Sequence, residues 1–324
     1  MAGIFNLFIF ICDGGSSIGG GHISRSRSLA FALMLEGINV CWVVPEEILS
    51  TMNEEEHFFG VSDFKVDTLL SAVQKLSVLD TVDMVVVDSY RISSATLLAL
   101  KKFYRLAILY DYSDISAGEW ADIIINYNIG AENIPYTHKS KNILGSGFTL
   151  IRPSFAKLTP SDDGFVLFLA GASDVAGVTV DVVTWYDTSW PPMVAVLGPM
   201  VPDDYFDKVS RMVDKKDGLT LMRAPSDFDG LMARASSVVC TSSVTCYEAM
   251  ALGKPVVVFQ VAENQRGIGR ALSELGWGID LGWWKDISPE ILHRAIEKAF
   301  PPPAGCVPTD GAKRVASAIL SMVR

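Results

Sequence analysis

Short apolar runs that end at polar residues alternate along this chain with segments of helical periodicity. In the first half the apolar runs lie at 6–12, 40–44, 84–87, 106–109 and 123–125. Continuous runs of this length are typical of parallel strands that are buried on both faces. A helical pattern at 25–36 follows the first run and ends at Gly37. We therefore predict an α/β domain with a parallel sheet between two layers of helices.

The same pattern begins again in the second half of the chain. Apolar runs lie at 165–169, 193–197, 219–222, 237–240 and 255–259, with helical patterns at 245–252 and 267–275. The segment 145–164, which contains Pro153 and Pro160, is the best candidate for a linker. We predict two Rossmann-like domains, at 1–150 and 151–306. The remaining residues, 307–324, are expected to form a terminal helix that can cross back to the first domain.

The charge of the chain restricts its partners. The 324 residues are 49% hydrophobic and carry a net charge of −10. A general nucleic-acid or membrane-surface binder needs basic patches, so neither partner is expected. A phosphate ligand remains compatible with this charge, because a few backbone N–H groups and one or two Arg side chains can hold phosphate locally.

The cysteines and the first apolar run bear on the cellular compartment. The five cysteines contain no CxxC pair and no metal spacing, which favours reduced thiols in a cytoplasmic protein. The run Met1–Ile11 is short, lacks a basic flank and leads directly into Asp13, so we interpret it as a strand and not as a signal peptide. No apolar run reaches the length of a membrane span. We expect a cytoplasmic monomer or weak dimer without stable membrane insertion.

Ligands of parallel α/β sheets bind outside the carboxyl ends of the strands. The polar residues predicted at those ends are Asp13, Asp88, Asp111, Asn126, 171–174, 241–243 and 260–265. Two such edges that face each other would form an interdomain cleft. The spacing of the three aspartates does not indicate a metal site, and we predict neither a metal nor a cofactor.

A glycine-rich segment, Asp13–Arg25, joins the first strand to the first helix. Its five glycines allow close approach of a ligand to the backbone, and the helix that follows offers free N–H groups to an anion. His22 lies at the start of that helix, where the helix dipole favours the neutral imidazole. A neutral imidazole can accept a proton from water near pH 7. We therefore predict that His22 is the general base; the alternative is a flexible turn with a structural histidine.

The second half carries similar strand-to-helix segments. Ser242 and Ser243 can present N–H and hydroxyl groups to a diphosphate, and Glu248 can accept hydrogen bonds from ribose hydroxyls. Gly171 and Ser173 lie in a turn of small residues, which also suits a phosphate. Asn264 and Gln265 can recognise sugar hydroxyl or N-acetyl groups. Each segment alone could instead be an ordinary helix cap or a polar loop.

Asp88 and Tyr90 follow the third predicted strand. Asp88 can orient His22 or hold a water molecule, and Tyr90 can stack on a sugar or bond to it. An equally simple interpretation of Asp88 is a helix cap.

These residues, in this order, resemble the nucleotide-sugar hydrolases of pseudaminic acid biosynthesis (PseG type) and their spore-coat polysaccharide relatives. The chain is more distantly similar to the lipid-II glucosaminyltransferases (MurG type). The segments that carry the resemblance are 13–25, 87–90, 150–152, 171–174, 242–249 and 263–265. The sequence departs from the family pattern at Ser89, which stands where the family has a histidine.

The resemblance implies a GT-B fold, in which two Rossmann-like domains hold the ligand in the cleft between them. It also implies hydrolysis of UDP-2,4-diacetamido-2,4,6-trideoxy-β-L-altropyranose by water, without a metal. On both grounds we assign catalysis to His22, Asp13 and Tyr90, and nucleotide binding to Gly171, Ser173, Ser242, Ser243 and Glu248. We assign sugar binding to Gly19, Gly21, Arg25, Asp88, Arg152, Asn264 and Gln265.

Two other functions remain open. A glycosyltransferase of the same fold would use an acceptor hydroxyl in place of water. A lipid acceptor would call for an apolar patch, for which the candidates are Ile48, Leu49, Met52, Phe58 and Phe59. The adjacent run Asn53–Glu56 is acidic, which disfavours an anionic membrane and leaves soluble acceptors. A catalytically idle sugar-nucleotide binding protein is the third possibility.

Overall fold

The computed structural model of the chain describes residues 6–15, 19–52, 56–77, 81–112, 114–137 and 139–323. These residues form two compact units. Unit 1 comprises the described residues of Met1–Ile18, His22–Leu150 and Asp310–Arg324. Unit 2 comprises Gly19–Gly21 and Ile151–Thr309.

The described part of unit 1 contains a seven-stranded parallel sheet. Its strands are β1 (Leu7–Cys12), β2 (Asn39–Pro45), β3 (His57–Val61), β4 (Val82–Asp88), β5 (Leu106–Leu109), β6 (Ile123–Asn126) and β7 (Lys141–Leu144). They are ordered β3-β2-β1-β4-β5-β6-β7. The order reverses between β1 and β4, and the carboxyl ends of strands at such a switch point are where doubly wound sheets bind ligands.

Helices cover this sheet because its strands are apolar on both faces. All six residues of β1 are buried. The helices between the strands are α1 (Gly21–Leu35), α2 (Val66–Leu76), α3 (Ser94–Lys101) and α4 (Ala117–Trp120). Helix α1 starts four residues earlier than the predicted segment 25–36, so that His22 lies within its first turn.

The described part of unit 2 contains a six-stranded parallel sheet. Its strands are β8 (Val166–Leu169), β9 (Met193–Leu197), β10 (Leu219–Arg223), β11 (Ser237–Thr241), β12 (Val256–Gln260) and β13 (Ile279–Trp283). They are ordered β10-β9-β8-β11-β12-β13, which places a second switch point between β8 and β11. Its helices are α5 (Val178–Trp185), α6 (Asp203–Val213), α7 (Phe228–Arg234), α8 (Val244–Ala251), α9 (Arg266–Glu274) and α10 (Pro289–Glu297).

The last helix, α11 (Gly311–Val323), belongs to unit 1 although it follows unit 2 in the chain. Lys141 Nζ donates hydrogen bonds to the carbonyl oxygen of Ala318 and to Ser321 Oγ, at 2.8 and 2.9 Å. Arg105 donates to the carbonyl oxygen of Met322 at 2.8 Å. The close approach of the first turn to Thr149 requires glycine, because a Cβ on Gly311 would lie 2.3 Å from the Thr149 carbonyl oxygen.

The predicted α/β class with two parallel-sheet domains is confirmed. Three strands were not predicted, and each lies at the edge of its sheet: β3, β7 and β13. Edge strands are less buried, and their sequences are correspondingly less apolar. Strand β7 begins with Lys141 and Asn142, and all five residues of β13 are half-buried.

The apolar patch considered for a lipid acceptor is not formed as expected. Ile48 and Met52 are buried, with exposed fractions of 2% and 8%, because they pack into unit 1. Phe58 is exposed, whereas Leu49 and Phe59 are half-buried. Residues 53–55 of the adjacent acidic run lie outside the described residues. Within the described ranges, no helix combines the length and the apolar character needed to cross a membrane.

Candidate active site

The switch point of unit 1 brings together two of the predicted site residues. Asp13 follows β1 and Asp88 ends β4, and these strands pair in parallel. The backbone N–H of Asp13 donates to the carbonyl oxygen of Asp88 at 2.9 Å, which joins the two strand ends. Both side chains are fully buried. A buried carboxylate needs paired charges or hydrogen bonds, so its partners define what it can do.

Asp88 orients His22. The distance between His22 Nδ1 and Asp88 Oδ1 is 2.5 Å, and both groups are buried. This short contact places a proton on Nδ1, because the ionised carboxylate can only accept. Arg25 Nη2 lies 3.3 Å from the same nitrogen, but two donors cannot bond to each other, so we assign that contact no hydrogen bond. The tautomer that results leaves Nε2 of His22 as the acceptor.

Asp88 also binds Arg25 and Ser26, which project from the same helix as His22. Arg25 donates from Nε to Oδ2 at 2.7 Å and from Nη2 to Oδ1 at 2.5 Å, and Ser26 Oγ donates at 3.0 Å. Burial alone would raise the pKa of Asp88, but the positive charge of Arg25 and the interaction with His22 outweigh it and lower the pKa. Asp88 is therefore an ionised carboxylate at neutral pH.

Arg25 links Asp88 to a second carboxylate. Its Nη1 donates to Asp111 Oδ2 at 2.7 Å and to the hydroxyl of Tyr127 at 3.3 Å. Burial lowers the pKa of Arg25, but Asp111 and Asp88 outweigh that effect and raise the pKa well above its usual value. The guanidinium is thus held inside the unit, where it binds the Asp88 carboxylate. The sequence had instead suggested that Arg25 contacts the sugar.

Asp13 is held by its own set of donors. Its carboxylate accepts from Gly14 N at 2.8 Å, from Ser89 Oγ at 2.9 Å and from Arg91 Nε at 3.0 Å, and it forms an ion pair with Arg91 Nη2. Ser89, which departs from the pattern of the PseG-type hydrolases that the chain resembles, thus binds Asp13. With its oxygens occupied in this way, Asp13 is suited to fixing the glycine loop and not to proton transfer.

Tyr90 lies beside His22. The two ring centroids are 4.4 Å apart, with an interplanar angle of 78°, so the rings meet edge to face. The Tyr90 hydroxyl donates to Asp111 Oδ2, and 38% of the residue remains exposed. A rigid, partly exposed aromatic ring next to a histidine can contact a substrate.

The structure describes the glycine loop at residues 13–15 and 19–21, and residues 16–18 lie outside the described residues. Gly15 and Gly19 have φ values of +141° and +87°, a backbone region that favours glycine. A Cβ placed on Gly19 or Gly21 would meet no atom of the described residues within 4 Å. Among the described residues, the space beside the backbone is therefore open at Gly19 and Gly21.

In unit 2, Gly171 and Ser173 lie in the turn after β8. Gly171 has a φ of +88°, and both residues are half-buried. The turn is fixed by Asp174, which has a φ of +44° and accepts hydrogen bonds from Val178 N and Thr179 N at 2.9 and 3.0 Å. These bonds satisfy two amides at the start of α5. The predicted phosphate turn is thus a defined structure at the β8 end of the switch point.

The two serines after β11 differ in their surroundings. Ser242 is fully buried and donates both its N–H, at 2.9 Å, and its hydroxyl, at 3.4 Å, to the carbonyl oxygen of Phe259. Its donors are therefore engaged within the sheet, contrary to the expectation that they face a diphosphate. Ser243 is half-buried and precedes the first turn of α8, and its hydroxyl lies 3.0 Å from that of Thr241. Ser243 is the better placed of the two for an anion.

Glu248 and Arg152 form a pair. Arg152 donates from Nε and Nη2 to the two carboxylate oxygens of Glu248, at 2.8 and 3.0 Å, and Nη1 lies 2.5 Å from Asp229. The guanidinium also lies 5.0 and 5.1 Å from the ring centroids of Phe155 and Phe228. Burial raises the pKa of Glu248, and Arg152 opposes that shift. Arg152 was predicted as a sugar contact. It lies in unit 2 and is paired with Glu248, the residue predicted to bind the ribose hydroxyls.

Asn264 and Gln265 lie in a short 3₁₀ helix after β12. Gln265 Oε1 accepts from the N–H of Val261 at 2.8 Å, so this side chain stabilises its own loop. Both residues are half-buried. Gln265 is therefore committed to the local fold.

The structure adds Ser26, Arg91, Asp111 and Tyr127 to the site. The sequence identified Asp111 as a strand-end carboxylate but not as a partner of Arg25. In the sequence, Ser26 and Arg91 can be recognised only as polar residues near His22 and Asp88. Tyr127 can be recognised only as the residue after β6. Their roles depend on contacts across 62 to 102 residues of chain, which no local pattern reports. Among the described residues, no group of three or more His, Cys, Asp or Glu side chains could hold a metal ion.

Solved structures with a similar fold show the structural class of this protein. Over 97% of the chain, the structure is similar to that of MurG from Acinetobacter baumannii, with a TM-score of 0.65 and 12% sequence identity, covering 99% of that chain. It is also similar to the UDP-GlcNAc 2-epimerase of Methanocaldococcus jannaschii, solved with UDP-GlcNAc and UDP (TM-score 0.63, 13% identity, 98% and 100% coverage). At these identities the similarity shows the fold alone. The chain has the GT-B-like fold predicted from its motifs.

Two proteins with similar sequences give a more specific similarity than the fold does. The chain is 23% identical over 297 residues to the spore coat polysaccharide biosynthesis protein SpsG of Bacillus subtilis, covering 86% of this chain and 85% of SpsG. It is 24% identical over 275 residues to the uncharacterized protein MJ1062 of M. jannaschii. That match covers 79% of this chain but only 56% of the longer relative. No protein-family profile matches the chain. The chain is SpsG-like in sequence and distantly MurG-like in fold, as its motifs predicted.

Proposed function

We propose that this protein hydrolyses a nucleotide-diphosphate sugar to the free sugar and the nucleoside diphosphate, with His22 as the general base. The observation that carries this proposal is the buried Asp88–His22 pair, with its 2.5 Å contact at Nδ1. A histidine oriented in this way presents Nε2 as a proton acceptor. The pair lies at a switch point of a parallel sheet, where ligands of such folds bind.

The proposed reaction begins with a water molecule hydrogen-bonded to Nε2 of His22. As the water oxygen bonds to the anomeric carbon, Nε2 takes its proton and the bond from that carbon to the diphosphate oxygen breaks. The cluster of Asp88, Asp111, Arg25 and neutral His22 carries a formal charge of −1, and protonation of His22 brings it to zero. Asp88 thus stabilises the imidazolium that forms, and the nucleoside diphosphate leaves with the electron pair.

We propose that unit 2 binds the nucleotide. Gly171, Ser173 and Ser243 lie at the ends of β8 and β11, where small residues and helix N-termini suit phosphate groups. Glu248 is proposed to bind the ribose hydroxyls while it keeps its pair with Arg152. The solved complex of the M. jannaschii epimerase with UDP-GlcNAc and UDP supports a UDP-sugar as the ligand of this fold.

We further propose that the sugar is a di-N-acetylated deoxy amino sugar, as the resemblance to the PseG-type hydrolases implies. Tyr90 and Asn264 are the proposed contacts, because amide and aromatic groups recognise N-acetyl groups and sugar rings. The name of SpsG, a protein of spore coat polysaccharide biosynthesis, supports a role in the biosynthesis of surface sugars.

The test is turnover by the purified chain across a panel of UDP-, GDP- and CDP-activated amino sugars, with no acceptor present. NMR would follow both the released nucleotide and the free sugar. We expect one UDP-sugar to be hydrolysed, and we expect His22→Gln to lose roughly a hundred- to ten-thousandfold in kcat, the usual contribution of a general base. His57→Gln, a change of an exposed histidine in β3, is the matched control and should keep full activity.

The second candidate is a glycosyltransferase that uses a soluble acceptor, which the GT-B neighbours favour. Tight nucleotide binding without sugar release in the same panel would support it. Full hydrolysis by His22→Gln would instead show that the base assigned above is wrong.

A further inference from the structure

The contacts around His22 close into a ring. His22 binds Asp88, Asp88 binds Arg25, and Arg25 binds Asp111 at distances of 2.5 to 2.7 Å. Asp111 accepts the hydroxyl proton of Tyr90, and the Tyr90 ring returns to His22 at 4.4 Å between centroids. The catalytic histidine proposed above is therefore contacted from two sides, at its Nδ1 atom and at its ring.

Asp111 connects Arg25 to Tyr90 in this ring, because it accepts hydrogen bonds from both. It follows β5, and only 7% of its side chain is exposed. Its donors come from three separate places in the chain: Arg25 on α1, Tyr90 after β4, and Asn128 after β6, the last at 3.4 Å. A group bonded to so many elements fixes their side chains relative to one another.

We propose that Asp111 is a positioning residue: it keeps the Tyr90 ring against His22 and, through Arg25, preserves the negative charge of the Asp88–His22 pair. This inference rests on the function proposed above. The Tyr90 hydroxyl donates to Asp111, so loss of this carboxylate removes a contact that helps to orient the Tyr90 ring.

The charge argument is independent of the ring contact. If Asp111 becomes Asn, Arg25 is left with Asp88 as its carboxylate partner in this ring. The formal charge of Asp88, Arg25 and neutral His22 is then zero, and protonation of His22 creates a net positive charge in a buried site. The developing imidazolium loses stabilisation, although no group that touches the substrate has changed.

The kinetic test compares Asp111→Asn with Asp114→Asn, the same chemical change three residues further along, where the side chain is exposed and caps Ser116. We expect Asp111→Asn to lower kcat about tenfold, the effect of one hydrogen bond to a charged group, and Asp114→Asn to be unchanged. Tyr90→Phe should raise KM. Asp111→Ala removes the acceptor of the Tyr90 hydroxyl, which an asparagine oxygen would retain, and should therefore raise KM as well. The double variant Asp111→Ala/Tyr90→Phe should have the KM of Asp111→Ala, because the two changes break the same contact. Effects on KM that multiply would overturn the proposal.

A spectroscopic test needs no turnover and separates this inference from the proposed reaction. In Tyr90→Phe the aromatic ring is kept but its bond to Asp111 is lost. The ring-current shift that the Tyr90 ring produces on the His22 ring protons should therefore change in both Tyr90→Phe and Asp111→Ala, and not in Asp114→Asn. Unchanged His22 shifts in folded variants would show that Asp111 does not position Tyr90. If the shifts change but no sugar nucleotide is hydrolysed, only the proposed reaction fails.

Discussion

At the scale of single residues, Asp88 is limited by the number of bonds that it already makes. Its two oxygens accept four hydrogen bonds from three side chains of α1: one from His22, two from Arg25 and one from Ser26. A carboxylate has about four acceptor positions. Asp88 is therefore saturated by protein donors, and it can orient a base but cannot itself take a proton from water.

This saturation predicts a large effect of Asp88→Asn. The amide group brings two N–H donors into a place where every neighbour donates, so His22 is expected to turn Nδ1 into an acceptor and to hold its proton on Nε2. The proposed base is then lost. We expect kcat to fall by roughly a hundred- to ten-thousandfold, with little change in UDP affinity. Steady-state kinetics and UDP titration would measure both quantities, and Asp67→Asn, an exposed change in the first turn of α2, is the control.

The lowered pKa of Asp88 also predicts how the stability of unit 1 depends on pH. Because the pKa is lower in the folded state than in the unfolded chain, the ionised group stabilises the fold at every pH above the unfolded value of about 3.9. The contribution is lost as the pH falls from there toward the folded pKa. Hydrogen exchange of β1 and β4 amides should therefore lose protection below about pH 4 more steeply in the wild type than in Asp88→Asn. Equal slopes would contradict the shift.

The sequence predicted the residues of the site better than their partners. His22, Asp88 and Tyr90 could be selected because strand ends and helix starts can be recognised locally. That Arg25 turns inward to two carboxylates could not be predicted, since its orientation depends on Asp88 and Asp111, 63 and 86 residues away. For the same reason, the pairing of Glu248 with Arg152 was missed, although each residue was noted as functional.

At the scale of elements, burial favours the detection of strands from the sequence, although the edge strand β10, with one buried residue, was also predicted. Central strands such as β1 and β12 are buried at every residue and appear as continuous apolar runs. The three missed strands lie at sheet edges, where one side has no neighbouring strand and polar residues are tolerated. Predictions of parallel folds from single sequences are thus most reliable at the centre of the sheet, which is also where the candidate site lies.

The contact between α11 and Thr149 gives a prediction about an element. Gly311→Ala would place a Cβ 2.3 Å from the Thr149 carbonyl oxygen and 2.7 Å from its nitrogen, so the helix must shift. We expect a destabilisation of about 1–3 kcal/mol, typical of overpacking. Gly267→Ala, in the first turn of α9, is the matched control: its Cβ meets no described atom within 4 Å, and it should be neutral or slightly stabilising. Chemical denaturation of both variants would measure the difference, and an equally stable Gly311→Ala would contradict the close contact.

At the scale of the whole molecule, each unit repeats one arrangement of strands. In both sheets the first strand lies between the second and the fourth, and the order reverses beside it. Each unit therefore has its own switch point and can carry its own part of the chemistry. We propose that unit 1 carries catalysis and unit 2 binds the nucleotide. This follows from the residues at the two switch points, which are titratable and paired in unit 1 but small and hydroxyl-bearing in unit 2.

This division predicts that mutations can impair nucleotide binding and catalysis separately. UDP at about one hundred times its Kd should stabilise the unit that binds it by about 2.7 kcal/mol. We expect the added hydrogen-exchange protection to appear on β8 and β11, to persist in His22→Gln and to be weakened in Glu248→Gln. Glu274→Gln also removes a carboxylate from an Arg pair, but an exposed one, and should behave as the wild type. Protection confined to unit 1 would overturn the assignment.

The position of α11 has a consequence for the order of events on the ribosome. All of 151–309 is synthesised after most of unit 1 and before the helix that completes it. All residues of unit 2, including the three of the glycine loop, are therefore synthesised before Lys141 can reach its acceptors on α11. Domains generally fold as units while the chain grows. In this protein, folding of unit 1 is expected to finish after that of unit 2.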